Sequence, residues 1–220
     1  MVEGAGMAGW ESLRVDLLRY LEEAPGALVV LPNPHTVRRY ERRFRIELAA
    51  WATDIAADLY AKYGELVELR VGALSFPGKE LFVRERSQRL RGEPAEAVGL
   101  TAEPLQQLTI RSGHHAQQDV LVTNQAAHEQ VLLTAGDLRS VVTNASGREV
   151  GCYVGPHNLP RIGFPIDPHQ SRPVPVLIGT ASLVPDLGYA VPPGRWALRI
   201  SLQTEAGFYL SAPLELTITP

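Results

Sequence analysis

A two-residue rhythm through the C-terminal half constrains this chain more than any other feature. After the Pro192-Pro193-Gly194 turn, Trp196, Leu198, Ile200 and Leu202 share one face of an extended run, with Arg195, Arg199 and Ser201 on the other. Glu205-Ala206-Gly207 reverses the chain into a second run from Phe208 to Ile218, where Leu214, Leu216 and Ile218 alternate with Glu215, Thr217 and Thr219. A strand that is apolar on one side and polar on the other belongs to a sheet with one buried and one wet face.

The same rhythm, punctuated by turns, predicts strands over 105–111, 119–123, 130–134, 138–143, 149–154 and 174–178. Turn residues fall between them at Ser112-Gly113, Asn124, Gly136-Asp137 and Asn144 to Gly147. Pro173 and Pro175 flank Val174 and mark an edge strand or strap, because proline cannot donate to an interior ladder. Short strands at this spacing predict an antiparallel β-sandwich of immunoglobulin type over 105–220. Val120 to Asn124, Asn144 to Val150 and Pro193-Gly194-Arg195-Trp196 resemble the strand-and-turn signature of immunoglobulin-like domains. The resemblance is in particular to the domain of the intracellular proteinase inhibitor (BsuPI) family, over about 105–203, from which the long insert at 155–173 departs. The segment from Gly179 to Trp196 also resembles uncharacterised bacterial proteins.

The first half follows a different period. Leu13, Leu17, Leu18 and Leu21 recur at helical spacing after a Gly-rich start, and Pro25-Gly26 ends the run. Ala27 to Leu31 reads as a short strand. Val37, Tyr40, Phe44, Leu48, Trp51, Ile55, Leu59 and Tyr63 then step by three or four residues, which predicts one long amphipathic helix over 36–63, capped by Gly64. Leu66 to Leu74 alternates as a strand, and another is expected after Pro77-Gly78. The expected organisation is α+β: a small α/β domain over 1–92, a linker over 93–104 that carries Pro94, Gly99 and Pro104, and the sandwich.

Composition narrows the chemistry. With 220 residues, of which 45% are hydrophobic and 20% charged, the chain has material for a substantial core. A net charge of −3 gives no general affinity for polyanions, so nucleic acid is not an expected partner. Cys152 is the sole cysteine, which rules out an intrachain disulfide. Charged residues interrupt the apolar pattern of 10–23, and no window approaches the roughly 18 apolar residues of a membrane span. A cytoplasmic protein with no membrane partner is the expectation, and the Asn144-Ala145-Ser146 sequon reads as a turn.

Few residues stand out as chemistry. Arg38, Arg39, Arg42, Arg43 and Arg45 would form a broad cationic face on the predicted long helix, suited to anions or an acidic partner, or a solvated face in local ion pairs. His114, His115 and Asp119 offer metal-ligand types, although adjacent histidines on a strand point to opposite faces. Cys152 lies on one face of a predicted strand, as a buried inert thiol does, while a fold-back at Pro156 would bring His157 beside it as a nucleophile pair. No Gly-x-Ser-x-Gly elbow, phosphate loop or dinucleotide fingerprint occurs. The tryptophans read as core or domain-interface anchors.

These features lead to an expected function of non-enzymatic protein–protein interaction inside the cell, with no cofactor and a protein partner. The insert at 155–173 (His157, Asn158, Arg161) and the arginine face are the candidate contact residues. The alternatives are a metal-dependent or hydrolytic enzyme with a site between the domains, and anion or nucleic-acid binding through Arg38–Arg45.

Overall fold

The computed structural model describes residues 3–30, 43–78, 80, 81, 90, 92–155 and 160–220, with side chains from residue 9 onward. Helix α1 (Glu3–Glu23) opens the chain, followed by β1 (Leu28–Val30), β2 (Phe44–Leu48), helix α2 (Thr53–Tyr63), β3 (Val67–Val71) and β4 (Leu74–Phe76). The strands form a four-stranded sheet in the order β1-β2-β3-β4. Strands β2 and β3 are parallel with α2 crossing between them, while β1 and β4 pair antiparallel at the edges.

The predicted helix over 36–63 is therefore wrong as a single element. Residues 36–42 lie outside the described residues, 44–48 are a strand, and the helix begins only at Thr53. Phe44 and Leu48, four apart, satisfy a helical period and a strand period equally. Ile46 decides between them: it is fully buried and sits off the helical stripe. In the strand, Phe44, Ile46 and Leu48 face inward with Val67, Leu69 and Val71. Leu13, Leu17 and Tyr20 of α1 and Ala56 and Leu59 of α2 join that cluster, so both helices cover one face of the sheet. Gly64 does end α2 with a positive φ of 47°, its N–H donating to Tyr60 O.

The rest of the chain is mostly β. In order come β5 (Glu93–Pro94), β6 (Leu100–Pro104), β7 (Leu108–Arg111), β8 (His115–Asn124), β9 (Gln130–Thr134), β10 (Leu138–Thr143) and β11 (Glu149–Cys152). They are followed by β12 (Ile162–Ile166), β13 (Ser171–Gly179), β14 (Ala181–Ser182), β15 (Gly194–Gln203), β16 (Phe208–Leu210) and β17 (Leu214–Thr219). All but β9 and β12, which pair with each other, belong to one curled 11-stranded sheet. Its inward residues share a single core: Val120 and Val122 of β8, Val174, Val176 and Ile178 of β13, Leu198, Ile200 and Leu202 of β15, and Leu214, Leu216 and Ile218 of β17. Trp196 packs against that core half-buried, its indole N–H donating to Pro192 O at 3.0 Å.

Four details depart from the sequence reading. The sheet is not wholly antiparallel, because β10–β13, β17–β7 and β16–β5 pair in parallel. The expected linker is ordered: Ala95 and Leu100 are fully buried, and β6 pairs with β8 over five positions. Most of the expected recognition insert is also sheet, since β12 pairs with β9 from Ile162↔Thr134 to Ile166↔Gln130 and β13 starts at Ser171. The expected strand 208–218 breaks at Ser211 to Pro213, where the Ser211 N–H donates to Ile200 O and the Ser211 hydroxyl accepts from Ile200 N–H. The strand carrying Pro173 and Pro175 is not the expected edge strand, since β13 lies between β8 and β10; both prolines pair with β8, and β10 reaches β13 only beyond them, at Val176 and Leu177. The sequon is a turn, with Asn144 Oδ1 accepting from the Ser146 and Arg148 N–H groups.

Candidate functional site

Two glycines let the small sheet lie against the β-rich body. Gly113, in the turn between β7 and β8, has φ +78°, and a Cβ there would stand 2.9 Å from Trp51 Cβ and 3.0 Å from Trp51 N. Gly72, after β3, has φ +57°, and its Cβ would meet Ala50 Cβ at 2.9 Å and Ala181 Cβ at 3.2 Å. Larger residues would be strained in the backbone and would push the two parts apart. Aromatic groups complete the seam. Trp51 stacks on His114 with ring centroids 5.4 Å apart and planes 12° from parallel. Phe76 packs on Tyr189 at 5.9 Å, and the Tyr189 hydroxyl donates to Gly78 O at 2.9 Å.

Beside this seam lies a cleft of about 230 Å³ with walls from both parts. Gly26, Leu28, Val29, Ala49 and Ala50 line one side. The other is formed where three strand ends converge: Gly113 to His115 entering β8, Cys152 to Gly155 leaving β11, and Gly179 to Ala181 between β13 and β14. Register brings these together, because His115 pairs with Gly179 and Cys152 with Ala181. At Gly179 a Cβ would fall 2.3 Å from Tyr153 Cα, so only glycine lets the chain after β11 pass this close.

The polar groups of the cleft are already positioned. His114 Nδ1 lies 2.9 Å from Ser112 O, and a carbonyl oxygen only accepts, so Nδ1 carries the proton and Nε2 is the acceptor in the neutral ring. Thr180 donates its hydroxyl to the Arg111 and His114 carbonyls at 3.2 and 2.9 Å, and its N–H also reaches His114 O. The His115 ring meets Tyr153 edge-on at 5.1 Å. The two adjacent histidines thus meet different ring neighbours. Burial pushes the Cys152 thiol up to about 12, aided by the Glu149 carboxylate, and burial likewise raises the Tyr153 phenol, with Asp137 adding to it. At neutral pH Cys152 is held as a thiol, which is a poor nucleophile and metal ligand. Among the described residues, no group of three His, Cys, Asp or Glu side chains is placed to hold a metal ion.

The expected arginine face resolves differently. Arg38, Arg39 and Arg42 lie outside the described residues, as do His157 and Asn158, so the Cys152–His157 pairing does too. Arg43, just before β2, pairs with Glu65, and Arg45, on β2 rather than on a helix, pairs with Glu68 at 3.3 Å. Arg70 adds contacts to Glu68 at 2.9 Å and Glu47 at 3.8 Å, so the outer face of the small sheet is a ladder of neutralised charges. Arg161 is exposed just before β12, and Asp119 is exposed on β8. Sequence reasoning grouped His114 and His115 with Asp119, weighed Cys152 with His157, and missed Trp51, Tyr153 and Gly179 as neighbours of the histidines and the cysteine. The glycines at strand ends beside these residues were the available signal.

No family model and no curated protein matches the chain. Solved structures with local similarity include a β-glucosidase from Erythrobacter marinus, at 11% identity and TM-score 0.30, covering 55% of this chain and 15% of that one. A PapD-like domain of human CEP192 matches at 10% identity and TM-score 0.25, covering 56% of this chain and 84% of that one. The CooA pilin subunit of enterotoxigenic Escherichia coli matches at 11% and 0.24, covering 56% and 99%. Among the described residues, no helix is long and apolar enough to cross a membrane.

Proposed function

We propose that the chain is a non-catalytic binding module that engages a protein partner in the cleft between the four-stranded sheet and the β-rich body. The observation that carries this reading is the composition of the cleft: small and aliphatic residues from both parts surround rings held by aromatic neighbours. Mostly apolar clefts with a few fixed polar groups are binding sites in general. The enzymatic alternative gains no nucleophile from the same geometry, because burial quenches Cys152. Anion binding through the arginines is weakened by the carboxylates facing Arg43 and Arg45.

The reading keeps the protein in the cytoplasm. It treats the β-rich part as a separate immunoglobulin-like sandwich, a reading supported by opposed strands sharing one core, and takes the proteinase-inhibitor type from the sequence resemblance alone. Ala49→Trp tests the function by filling the cleft. Immobilised wild-type and variant chains are exposed to cell extract: a protein retained by the first and lost by the second supports the reading. Identical recoveries from a variant of unchanged Tm contradict it.

A further inference from the structure

Resting on that reading, we infer that the cleft is built to receive one aromatic ring carrying an N–H or O–H donor, an indole or phenol group. Size comes first. An apolar cavity near 150 Å³ admits benzene, and drug-sized ligands need about 300 Å³ or more. The cleft, at about 230 Å³, lies between, which matches one bicyclic ring whose remainder stays outside. Lining comes second. Leu28, Val29 and Val154 give apolar contact, and the edge-to-face pair of His115 with Tyr153 supplies ring surface for offset or edge packing.

The donor requirement follows from the polar groups. Thr180 has given its hydroxyl proton to backbone carbonyls, whereas the His114 tautomer leaves Nε2 with a lone pair to offer. A ring with its own N–H or O–H satisfies that acceptor, and a purely aliphatic group leaves it dry and unpaired.

Indole, 1-methylindole, cyclohexanol and N-acetyltryptophanamide are titrated into the intact protein, with histidine and tyrosine ring signals followed by NMR. The expected result is saturable shifts of the His114, His115 and Tyr153 rings with indole. Binding of 1-methylindole should be about five-fold weaker, as loss of one hydrogen bond implies, and Ala49→Trp should abolish the response. His115→Ala, at an exposed position, should weaken binding and leave the fold intact. Binding of N-acetyltryptophanamide alongside indole supports a side chain of the partner as the source, while indole alone supports a free aromatic compound. No ring response to indole, or equal binding of 1-methylindole or cyclohexanol, overturns the inference. If an extract protein is still lost on Ala49→Trp in that case, the binding-module reading survives without it.

Discussion

Gly113→Ala probes the docking of the small sheet on the β-rich body, and Gly147→Ala is its matched control. Both glycines have φ +78°, but a Cβ at 147 meets nothing within 4 Å, while one at 113 meets Trp51 Cβ at 2.9 Å and Trp51 N at 3.0 Å. Left-handed backbone costs an L-residue about 1–2 kcal/mol, and this term is common to both variants. Overpacking a tight contact adds about 1–3 kcal/mol, and only Gly113→Ala carries it. The backbone atom of Trp51 cannot swing aside as a side-chain tip would, so relief requires the two parts to separate and Trp51 to leave His114. For a chain of this size each kcal/mol moves Tm by about 2–4 °C. Gly113→Ala should therefore melt about 2–12 °C below Gly147→Ala, and should shift the tryptophan emission of the folded state. Urea and thermal unfolding followed by fluorescence and near-UV circular dichroism measure both. Equal stabilities for the two variants would refute the close approach and, with it, the cleft.

Other consequences can be checked separately. On α1, Leu17→Ala should cost about 2–5 kcal/mol and Leu18→Ala within about 0.5 kcal/mol in urea unfolding, because Leu17 is 3% exposed and Leu18 50%. Tyr20 and Tyr63 bond Asp58 and Asp16 across the two helices, and burial first, then these carboxylates, raises both phenols to about 12. Because their folded values lie above the usual 10, their contribution is complete below pH 10 and is lost as pH rises towards 12. Absorbance at the phenolate band should show two late-titrating tyrosines, and alkaline unfolding in that window. Cys152 should resist iodoacetamide in the folded protein at pH 8 and react at once in urea; fast labelling of the native state would contradict its burial. Arg45→Ala should change stability by less than about 1 kcal/mol, since its pair with Glu68 is solvent-exposed.

Much of the β-rich part was legible in sequence because alternation and turn chemistry agree there: β9 and β10 fall on 130–134 and 138–143 as expected, and Leu198, Ile200 and Leu202 are fully buried. Where two periods overlapped, the reading failed. Phe44, Leu48 and Trp51 fit a helical stripe, and the strand register of Ile46 against Leu69 emerges only once β3 is alongside. The run 93–104 failed for another reason: Gly99 ends a 3₁₀ turn and Pro94 and Pro104 end strands β5 and β6, rather than marking a free linker. The cleft was not legible at all. Trp51 meets His114 where the two sheets dock, and His115 meets Tyr153 through the long-range pairing of strands within the larger sheet, neither of which a local pattern encodes. Residue types could be flagged one by one, but their convergence depends on long-range pairing and on glycines whose missing Cβ matters only after docking.

Nuclear Overhauser contacts between the indole protons of Trp51 and the imidazole protons of His114 test the arrangement on which the binding site depends. Near-parallel rings 5.4 Å apart should give cross-peaks between them, together with ring-current shifts of His114 that disappear in Trp51→Leu. A folded protein with neither would contradict the docked arrangement and leave the cleft without one of its walls.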